Sequence, residues 1–330
     1  MEVPDAVCGF TFFVSAIPRG KPFQMNIYGT ENSYAAREKP TKFVLFSLSG
    51  IASLLLGMAS HPPPGDAAEG SRAQGTPAAA ELVSAVVTNE LADREKQRKW
   101  VCVVEKREGK QTLTEVKVDT KDGPLFRLFA IDGAALNSDQ RRQDDARIAR
   151  LMKDPRPLQK LKQAETEDEL KLQKLLSLMP QAFVFDYDGS EGNLLRVKFR
   201  PDPGYVPPTY EARVIHSLAG TILIDSKQTR LAKVSGQLIN QVNFGFGLLG
   251  RIDSGTLELE RAEVGPQQWK TAFINIHFSG RAILFKTINK DQYERRFDFH
   301  TVSSDLSLSE ARDLLITRTL PLPQTAQNSN

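Results

Sequence analysis

The second half of the chain consists largely of segments in which apolar and polar residues alternate. The alternation is clearest in residues 269–278, where the apolar positions are Ala272, Ile274, Ile276 and Phe278. Leu257 and Leu259 alternate with glutamates in the same way. Side chains of a β-strand point to opposite faces in turn, so this period of two predicts strands with one buried and one solvated face. The pattern therefore predicts an antiparallel sheet.

The predicted strands follow one another along the chain, mostly with short turns between them. About ten are expected, from 100–106 near the start to 282–288 and 293–302 at the end. One face of the last strand carries Tyr293, Phe297 and Phe299. Because consecutive strands usually pair, we expect a β-meander, and an open sheet of this size is expected to curl. The predicted fold class is α+β, with a curled antiparallel half-barrel.

Helical segments are available to cover such a sheet. The periodicity places them at about 78–99, 138–152 and 166–178. Ser138 is a predicted N-cap, Thr166 with Glu169 fits a capping box, and Pro180 is expected to end the third helix. An apolar concave face needs a covering layer, so we expect two or three helices to lie on it.

An uncharged apolar segment of 17 residues, Phe43–Ala59, lies near the N-terminus. It follows Arg37, Lys39 and Lys42 and ends in small residues, which is the pattern of a secretory signal cleaved after Ala59. The length is also compatible with an uncleaved membrane anchor, and a buried core helix is the remaining alternative. Both targeting interpretations predict export, with the domain periplasmic or anchored to the inner membrane outside the cytoplasm.

These features divide the chain into segments. Residues 1–42 form an extension and positively charged region without a clear period, and Met25 is an alternative start of translation. Residues 60–77 are rich in Pro, Gly and Ala and predict a disordered linker. The β-rich domain is expected over 78–320, followed by a disordered tail at 321–330.

Charge and cysteine content exclude several classes of protein. The net charge of +3 arises from interleaved acids and bases, without the long basic run of a nucleic-acid-binding protein. The chain has two cysteines, Cys8 and Cys102, and removal of a signal peptide would leave Cys102 alone. We therefore expect no disulfide framework, no cysteine zinc site and no nucleic acid partner.

The sequence carries no evident catalytic or metal-binding motif. His216, His277 and His300 lack the spacing of paired metal ligands, although His277 and His300 would meet across the sheet if their strands were suitably paired. The acids of 186–191 weakly resemble a calcium loop but lack its ligand spacing, and a turn between two strands explains them better. We therefore expect a protein that is not an enzyme and that needs no cofactor or metal.

One glycine-rich stretch, 244–250, carries four large apolar residues: Phe244, Phe246, Leu248 and Leu249. It lies between strands and lacks the lysine of a phosphate-binding loop. Two interpretations stay open. The stretch is either a buried strand with bulges, in which glycine permits close backbone approach, or an exposed apolar flap that binds lipid or a partner.

Four segments share their pattern with a known family: LAGTILIDSKQTRLAKVSGQL (218–238), FGFGLLGRIDSG (244–255), LELERAEVGPQQWKTAFINIHFSGRAILFK (257–286) and YERRFDFHTV (293–302). They resemble the LolA-like outer-membrane lipoprotein-sorting superfamily, in particular its exported bacterial members. The resemblance covers roughly residues 95–302. It implies a half-barrel of antiparallel strands with helices in its concave face, and the carriage of acyl chains or lipoproteins in the periplasm.

The leading hypothesis is a non-catalytic periplasmic protein that binds lipid acyl chains or lipoproteins in an apolar groove. The alternative is a membrane-tethered sensor or protein-interaction module of the envelope, which would contact the membrane through residues 43–59 if these are retained. A hydrolase is the third hypothesis. The candidate groove or flap residues are Phe244, Phe246, Leu248, Leu249, Trp269, Ile274, Ile276, Phe278, Phe297 and Phe299.

Overall fold

The alternating segments of the chain form one large antiparallel sheet. The computed structural model describes residues 77–94, 98–244, 250–282 and 286–318. The predictions made for residues 1–76, for 245–249 and for the tail beyond 318 lie outside these ranges. All described residues belong to one compact unit, Pro40–Asn330.

The described ranges contain a 12-stranded sheet. Its strands are β1 (Lys99–Glu108), β2 (Gln111–Thr120), β3 (Gly123–Ile131), β4 (Ala134–Ala135), β5 (Phe183–Glu191), β6 (Leu194–Pro201), β7 (Leu218–Asp225), β8 (Arg230–Leu238), β9 (Val242–Phe244), β10 (Gly250–Gly265), β11 (Gln268–Ala282) and β12 (Lys286–Val302). The helices are α1 (Pro77–Arg94), α2 (Ser138–Lys153), α3 (Arg156–Ala182), α4 (Tyr210–His216) and α5 (Leu308–Thr317).

The strand order shows two meanders joined side by side. Across the sheet the order is β4-β3-β2-β1-β12-β11-β10-β8-β7-β6-β5, and β9 pairs with β10 beside this path. Because β1 pairs with β12, the N-terminal meander extends the C-terminal one. The expected α+β class and antiparallel sheet are confirmed. The sheet is open and has 12 strands, slightly more than the sequence indicates.

The two faces of the sheet pack against different helices. We call the face that packs against α1 the α1 face; it carries Ile276 and Phe278, which share a core with Val86 of α1. Strand alternation and register place Val103 on the other side of the sheet, the opposite face, where it shares a core with Leu315 of α5. The helical cover is therefore divided between the two faces, whereas the sequence analysis placed all of it on one.

Helix α3 links these two cores. Its first turns join the α5 core through Leu158, and Gly123 permits the contact, because a Cβ at Gly123 would lie 2.3 Å from the Leu158 carbonyl oxygen. Gly123 also has a φ of 133°, which favours glycine. The last turns of α3 pack through Leu176 and Met179 against the α1 core. The helix thus carries the chain from one edge strand, β4, to the other, β5.

The start of α3 differs from the prediction. The helix begins at Arg156, so Thr166 lies inside it, where its hydroxyl donates to the Lys162 carbonyl oxygen instead of capping. The first half of α3 is mostly polar, and its helical period is correspondingly weak in the sequence. Pro180 lies within the last turn, and the helix continues to Ala182. A proline this close to the end breaks few backbone hydrogen bonds.

The other helices add smaller corrections. The N-cap of α2 is Asn137 and not Ser138, because Asn137 and Gln140 form a reciprocal capping box. Helices α4 and α5 were not predicted, since both are short; each begins at a side-chain cap, Thr209 and Ser307. Among the described residues, no helix has both the length and the apolar character needed to cross a membrane.

One long strand, β12, replaces two predicted ones. The sequence predicts separate strands at 282–288 and 293–302, because polar residues between them are typical of a turn. Instead, β12 begins at Lys286, which pairs with Ala282 of β11. Pairing with β11 on one side holds residues 289–292 in the strand despite their low strand propensity.

Helix α2 covers the exposed edge of β3. The buried Asp144 carboxylate accepts a hydrogen bond from the Leu128 backbone N–H at 3.2 Å. Arg147 donates to the Phe126 carbonyl oxygen at 2.6 Å and also pairs with Asp144. These side chains satisfy backbone groups that an uncovered edge strand would offer to another chain.

Candidate functional site

A broad depression lies on the opposite face, across the long strands β10, β11 and β12. Its volume is about 680 Å³, which falls within the range of roughly 300–1,000 Å³ typical of small-molecule sites. We call it the opposite-face pocket. Its lining residues are Glu260, Ala262, Val264, Ala272, Phe273, Tyr293, Arg295, Arg296, Phe297, Asp298 and Phe299.

Four aromatic residues line the pocket: Phe273, Tyr293, Phe297 and Phe299. Phe273 and Tyr293 meet edge to face, with ring centroids 5.5 Å apart. Phe297 is 45% exposed, which is unusual for so large an apolar side chain. Phe299 is half-buried and contacts the Trp100 ring edge to face. The exposed Phe297 beside partly buried rings is the arrangement expected of a binding surface.

Two bulges shape this surface. In the β10–β11 ladder, Glu260 pairs with Phe273 and Arg261 with Thr271, so Ala272 is an extra residue. The sequence period placed Ala272 on the face of Ile274, whereas it lines the opposite-face pocket. A second irregularity lies in β12, where Asp298 has a φ of 56°. Bulges change the direction of side chains, which helps to explain why five consecutive residues, 295–299, line one pocket.

The acidic groups of the pocket have cationic partners. Glu260 accepts a hydrogen bond from Lys233 at 2.8 Å. Asp298 pairs with His300 at 2.8 Å and with Arg318, which follows α5. These partners hold the pKa of the Asp298 carboxyl below its usual value, although partial burial opposes the shift. Both acids of the pocket wall therefore have a cationic partner, although Glu260 shares Lys233 with Glu258.

The residues proposed from the sequence fall into different environments. Phe297 and Phe299 line the opposite-face pocket. Phe244, Ile276 and Phe278 are buried in the α1 core, and Ile274 packs against it. Trp269 is buried, and its indole N–H donates to Gln228 at 2.9 Å. The remaining three, Phe246, Leu248 and Leu249, lie outside the described residues.

The pocket also contains residues that the sequence analysis did not propose. Phe273 and Arg295 belong to it, and each is next to a residue of the α1 face, Ile274 and Glu294. Tyr293 shares the face of Phe297 in the sequence pattern, but nothing in that pattern marks the face as open. The signal that would have found all three is alternation on neighbouring strands, combined with knowledge of which face the helices leave uncovered.

Between α3 and the end of the sheet, the α1 face is tightly filled. A cavity lined by Met179, Phe183 and Ile215 has a volume of about 10 Å³, roughly the minimum for one water molecule. Phe183 packs edge to face with Phe199 beneath it, at 5.3 Å. An acyl chain could enter this region only after α3 or α4 had moved, because these helices line the cavity.

Charged residues, rather than an apolar groove, occupy the α1 face where β12, β1 and β2 meet. Lys117 pairs with Glu165 of α3 at 3.1 Å, and Lys106 pairs with the buried Glu115 at 2.8 Å. Arg296 and Glu294 pair within β12. Burial by itself would raise the pKa of Glu294, but the Arg296 guanidinium lowers it below its usual range.

An ionic cluster attaches α1 to the sheet. Arg230 of β8 donates to Glu90 at 2.8 Å and to Asp93 at 2.9 Å. Arg261 of β10 also contacts Glu90. The Leu231 backbone N–H donates to Glu90 at 3.1 Å. Glu90 is 1% exposed, so this carboxylate is fully desolvated and depends on its partners.

The histidines do not form one site. His277 pairs with Asp291 across β11 and β12, whereas His300 lies opposite Val101 of β1. Nine residues of β12 separate Asp291 from His300, which is about 30 Å of strand. The strands are not paired in the way that would bring His277 and His300 together, so these two histidines do not meet across the sheet.

The third histidine and the acids of 186–191 also have structural roles. His216 packs against Phe183, and burial lowers the pKa of His216. Asp188 and Glu191 lie within β5 and pair across the ladder with β6, Asp188 with Lys198 at 2.7 Å and Glu191 with Arg196 at 3.0 Å. The predicted turn lies just after them, at Gly192 and Asn193. The described residues contain no group of three or more potential ligands able to hold a metal ion.

Lys290 provides a test of the packing of the α1 face. It lies across the ladder from Phe278, and burial lowers the pKa of Lys290 from 10.5 to about 8, with partial opposition from Asp168. We expect Lys290→Met to raise the free energy of unfolding near pH 7 by about 1–3 kcal/mol, because the variant buries no charge.

The sign of the pH dependence follows from the lowered pKa. Between about pH 8 and 10.5, the folded lysine is neutral while the unfolded one is still charged. The unfolded state then binds more protons, so the wild-type protein gains stability and the advantage of Lys290→Met shrinks. Urea denaturation at several pH values measures this. Lys110→Met, at an exposed turn, is the control. An advantage that stays constant with pH would contradict the prediction.

Comparison with protein families and known proteins returns no relative. No family model, curated protein or solved structure matches the chain. The resemblance to the LolA-like superfamily thus stays a prediction, and functional inference depends on the geometry of the chain itself.

Proposed function

We propose that this is a non-catalytic binding protein that holds the acyl chain of a lipid or lipoprotein in the opposite-face pocket. One observation carries the proposal: a pocket of about 680 Å³ whose rings include the exposed Phe297. An exposed aromatic surface in a depression of this size is typical of a binding site for an apolar ligand.

The dimensions of the pocket support a chain-like ligand. From Tyr293 to Phe299 the strand β12 spans about 20 Å, the length scale of a long acyl chain. Burial contributes roughly 0.8 kcal/mol per methylene, so about ten buried methylenes supply roughly 8 kcal/mol. That figure corresponds to micromolar affinity before the costs of association are subtracted.

We further propose that the protein is exported and that its sheet curls into a half-barrel. Support for export comes from the segment Phe43–Ala59 with its basic flank. Support for the half-barrel comes from the number of antiparallel strands and from α1 and α3 on one face. Both features agree with the resemblance to the LolA-like lipoprotein-sorting superfamily.

Substitution of the exposed pocket ring tests acyl-chain binding. We expect Phe297→Ser to lower the affinity for a fluorescent acyl probe by about tenfold or more. The reason is that the proposed site places the acyl chain of the probe against this ring. The measurement is a fluorescence titration of the purified full-length protein. Phe297 is partly exposed and does not belong to the α1 core, so the variant should keep its fold.

Val206→Ser is the matched control for this experiment. Val206 is 84% exposed and lies in the loop after β6, outside the pocket lining. Like Phe297→Ser, the Val206→Ser substitution removes exposed apolar surface. Equal weakening by the two substitutions would indicate nonspecific adsorption of the probe and would count against the proposal, as would the absence of saturable binding.

A second function, a membrane-tethered interaction module, is favoured by the filled α1 face. The cavity of about 10 Å³ under α3 leaves no room for a carried ligand there. Retention of residues 43–59 separates the two functions, because a carrier must diffuse freely. N-terminal sequencing of the exported protein decides this: a start at Ser60 is expected for a carrier, and an intact anchor for a tethered module.

A further inference from the structure

We infer that the ligand of the opposite-face pocket is a single-chain amphiphile with a carboxylate headgroup, and that Arg295 binds this headgroup. The inference deepens the proposed function and depends on it. It adds to the acyl-binding site a preference for a negatively charged headgroup. This preference is inferred from the arrangement of charged side chains around the pocket.

Arg295 is the free cation of the pocket lining. It is exposed and stands on β12 between Tyr293 and Phe297, opposite Phe273 of β11. Within the described residues, its guanidinium has no hydrogen bond or ion pair. An arginine surrounded by aromatic rings but lacking an anionic partner is suited to a ligand that brings the anion.

The acids of the pocket do not cancel this charge. Glu260 is bound to Lys233, and Asp298 to His300 and Arg318. Glu260 shares Lys233 with Glu258, so each carboxylate of the lining has at least one cationic partner. Among the charged side chains of the lining, Arg295 is the one that forms no ion pair within the described residues.

Two residues of β1 contribute to the electrostatic environment of Arg295. Arg107 lies over the Tyr293 ring at 4.9 Å and adds a second cation on the same face. Glu105 pairs with Arg295 in the β1–β12 register, without forming an ion pair. Glu105 is therefore the nearest competing anion on the neighbouring strand. Its removal should strengthen the attraction of Arg295 for an anionic ligand.

The size of the pocket favours one chain over a bilayer surface. About 680 Å³ is the volume of a site for a single small molecule. Docking on a membrane would instead call for a row of basic residues, and the pocket lining offers chiefly one unpaired arginine beside rings. A fatty-acid-like ligand has an acyl chain that can pack against the rings and a carboxylate that can pair with the Arg295 guanidinium.

Calorimetric titration of the full-length protein with three matched amphiphiles tests the inference. The probes are dodecanoate, dodecanol and dodecyltrimethylammonium, which share a chain and differ in headgroup charge. We expect dodecanoate to bind most tightly. Arg295→Met should lower the affinity for dodecanoate by about tenfold and change the affinity for dodecanol by no more than about twofold. Arg295→Lys should retain part of the preference, since it keeps the charge and loses the planar fork.

Glu105→Gln is the opposing variant and is expected to tighten dodecanoate binding while leaving dodecanol unchanged. Equal affinities for the three probes, or equal effects of Arg295→Met on all of them, would overturn the headgroup inference while leaving acyl binding intact. Absence of saturable binding by every probe would instead remove the proposed function itself. Cosedimentation with phosphatidylglycerol vesicles, without dodecanoate binding, would also overturn the inference in favour of a membrane surface.

Discussion

Replacing Glu90 by glutamine is expected to lower the free energy of unfolding by about 3–5 kcal/mol, the range for breaking a buried ion pair. The carboxylate is the shared partner of Arg230 and Arg261, and both arginine side chains are 6% exposed. A neutral amide would leave two desolvated guanidinium groups with only Asp93 to compensate them.

The loss should be large because the cluster connects elements that are distant in the sequence. Glu90 on α1 reaches Arg230 across a separation of 140 residues and also accepts the Leu231 backbone N–H. The charges are already desolvated in the folded state, so removing one partner exposes the full burial cost of the others.

Urea denaturation, followed by circular dichroism and extrapolated to water, measures the change. The control is Glu81→Gln, the same substitution at an exposed position of the same helix, for which we expect a change within about 0.5 kcal/mol. Similar values for the two variants would contradict the view that the ionic cluster holds α1 to the sheet.

Phe278→Ala is expected to cost about 3–5 kcal/mol of folding free energy, as truncation of a buried aromatic residue usually does. Phe278 is 2% exposed and packs in the α1 core. Its ring also fills the space over Gly255 on the neighbouring strand, where a Cβ would lie 2.1 Å from the ring. The cavity left by alanine would be lined by strands that the surrounding ladder holds in place.

The matched substitution is Phe297→Ala in the next strand. This ring is 45% exposed, so less apolar area leaves water when the chain folds, and we expect a loss of about 1 kcal/mol or less. Urea denaturation of both variants gives the comparison. Acyl-probe titration should show the reverse order, with Phe297→Ala the more harmful to binding. If Phe297→Ala were the more destabilising, the division into core and pocket residues would be wrong.

The contrast between Phe278 and Phe297 shows how much of a side chain's environment the sequence predicts. Both lie in alternating segments, and both were proposed as ligand-binding residues from the same pattern. Alternation assigns each ring to one of two faces of its own strand. It does not state which face a helix will cover, because that depends on contacts between segments far apart in the chain.

The antiparallel sheet and the α+β class follow from local periodicity and are present in the structure. The period of two is a property of neighbouring residues, so it can be identified in one sequence. The path of α3 was only partly predictable. Its polar first half is held by partners such as Lys117, which pairs with Glu165 across 48 residues of chain.

The sequence alone establishes that apolar and polar residues alternate in strand-like segments. It also shows no recognisable catalytic motif and an apolar segment typical of export. Tertiary structure decides the rest. The pairing of β1 with β12, the extra residue at Ala272 and the ionic partners of Glu90 depend on long-range contacts. Those contacts bury one face against α1 and leave the rings around Arg295 open, because helical cover is set by packing and not by local pattern.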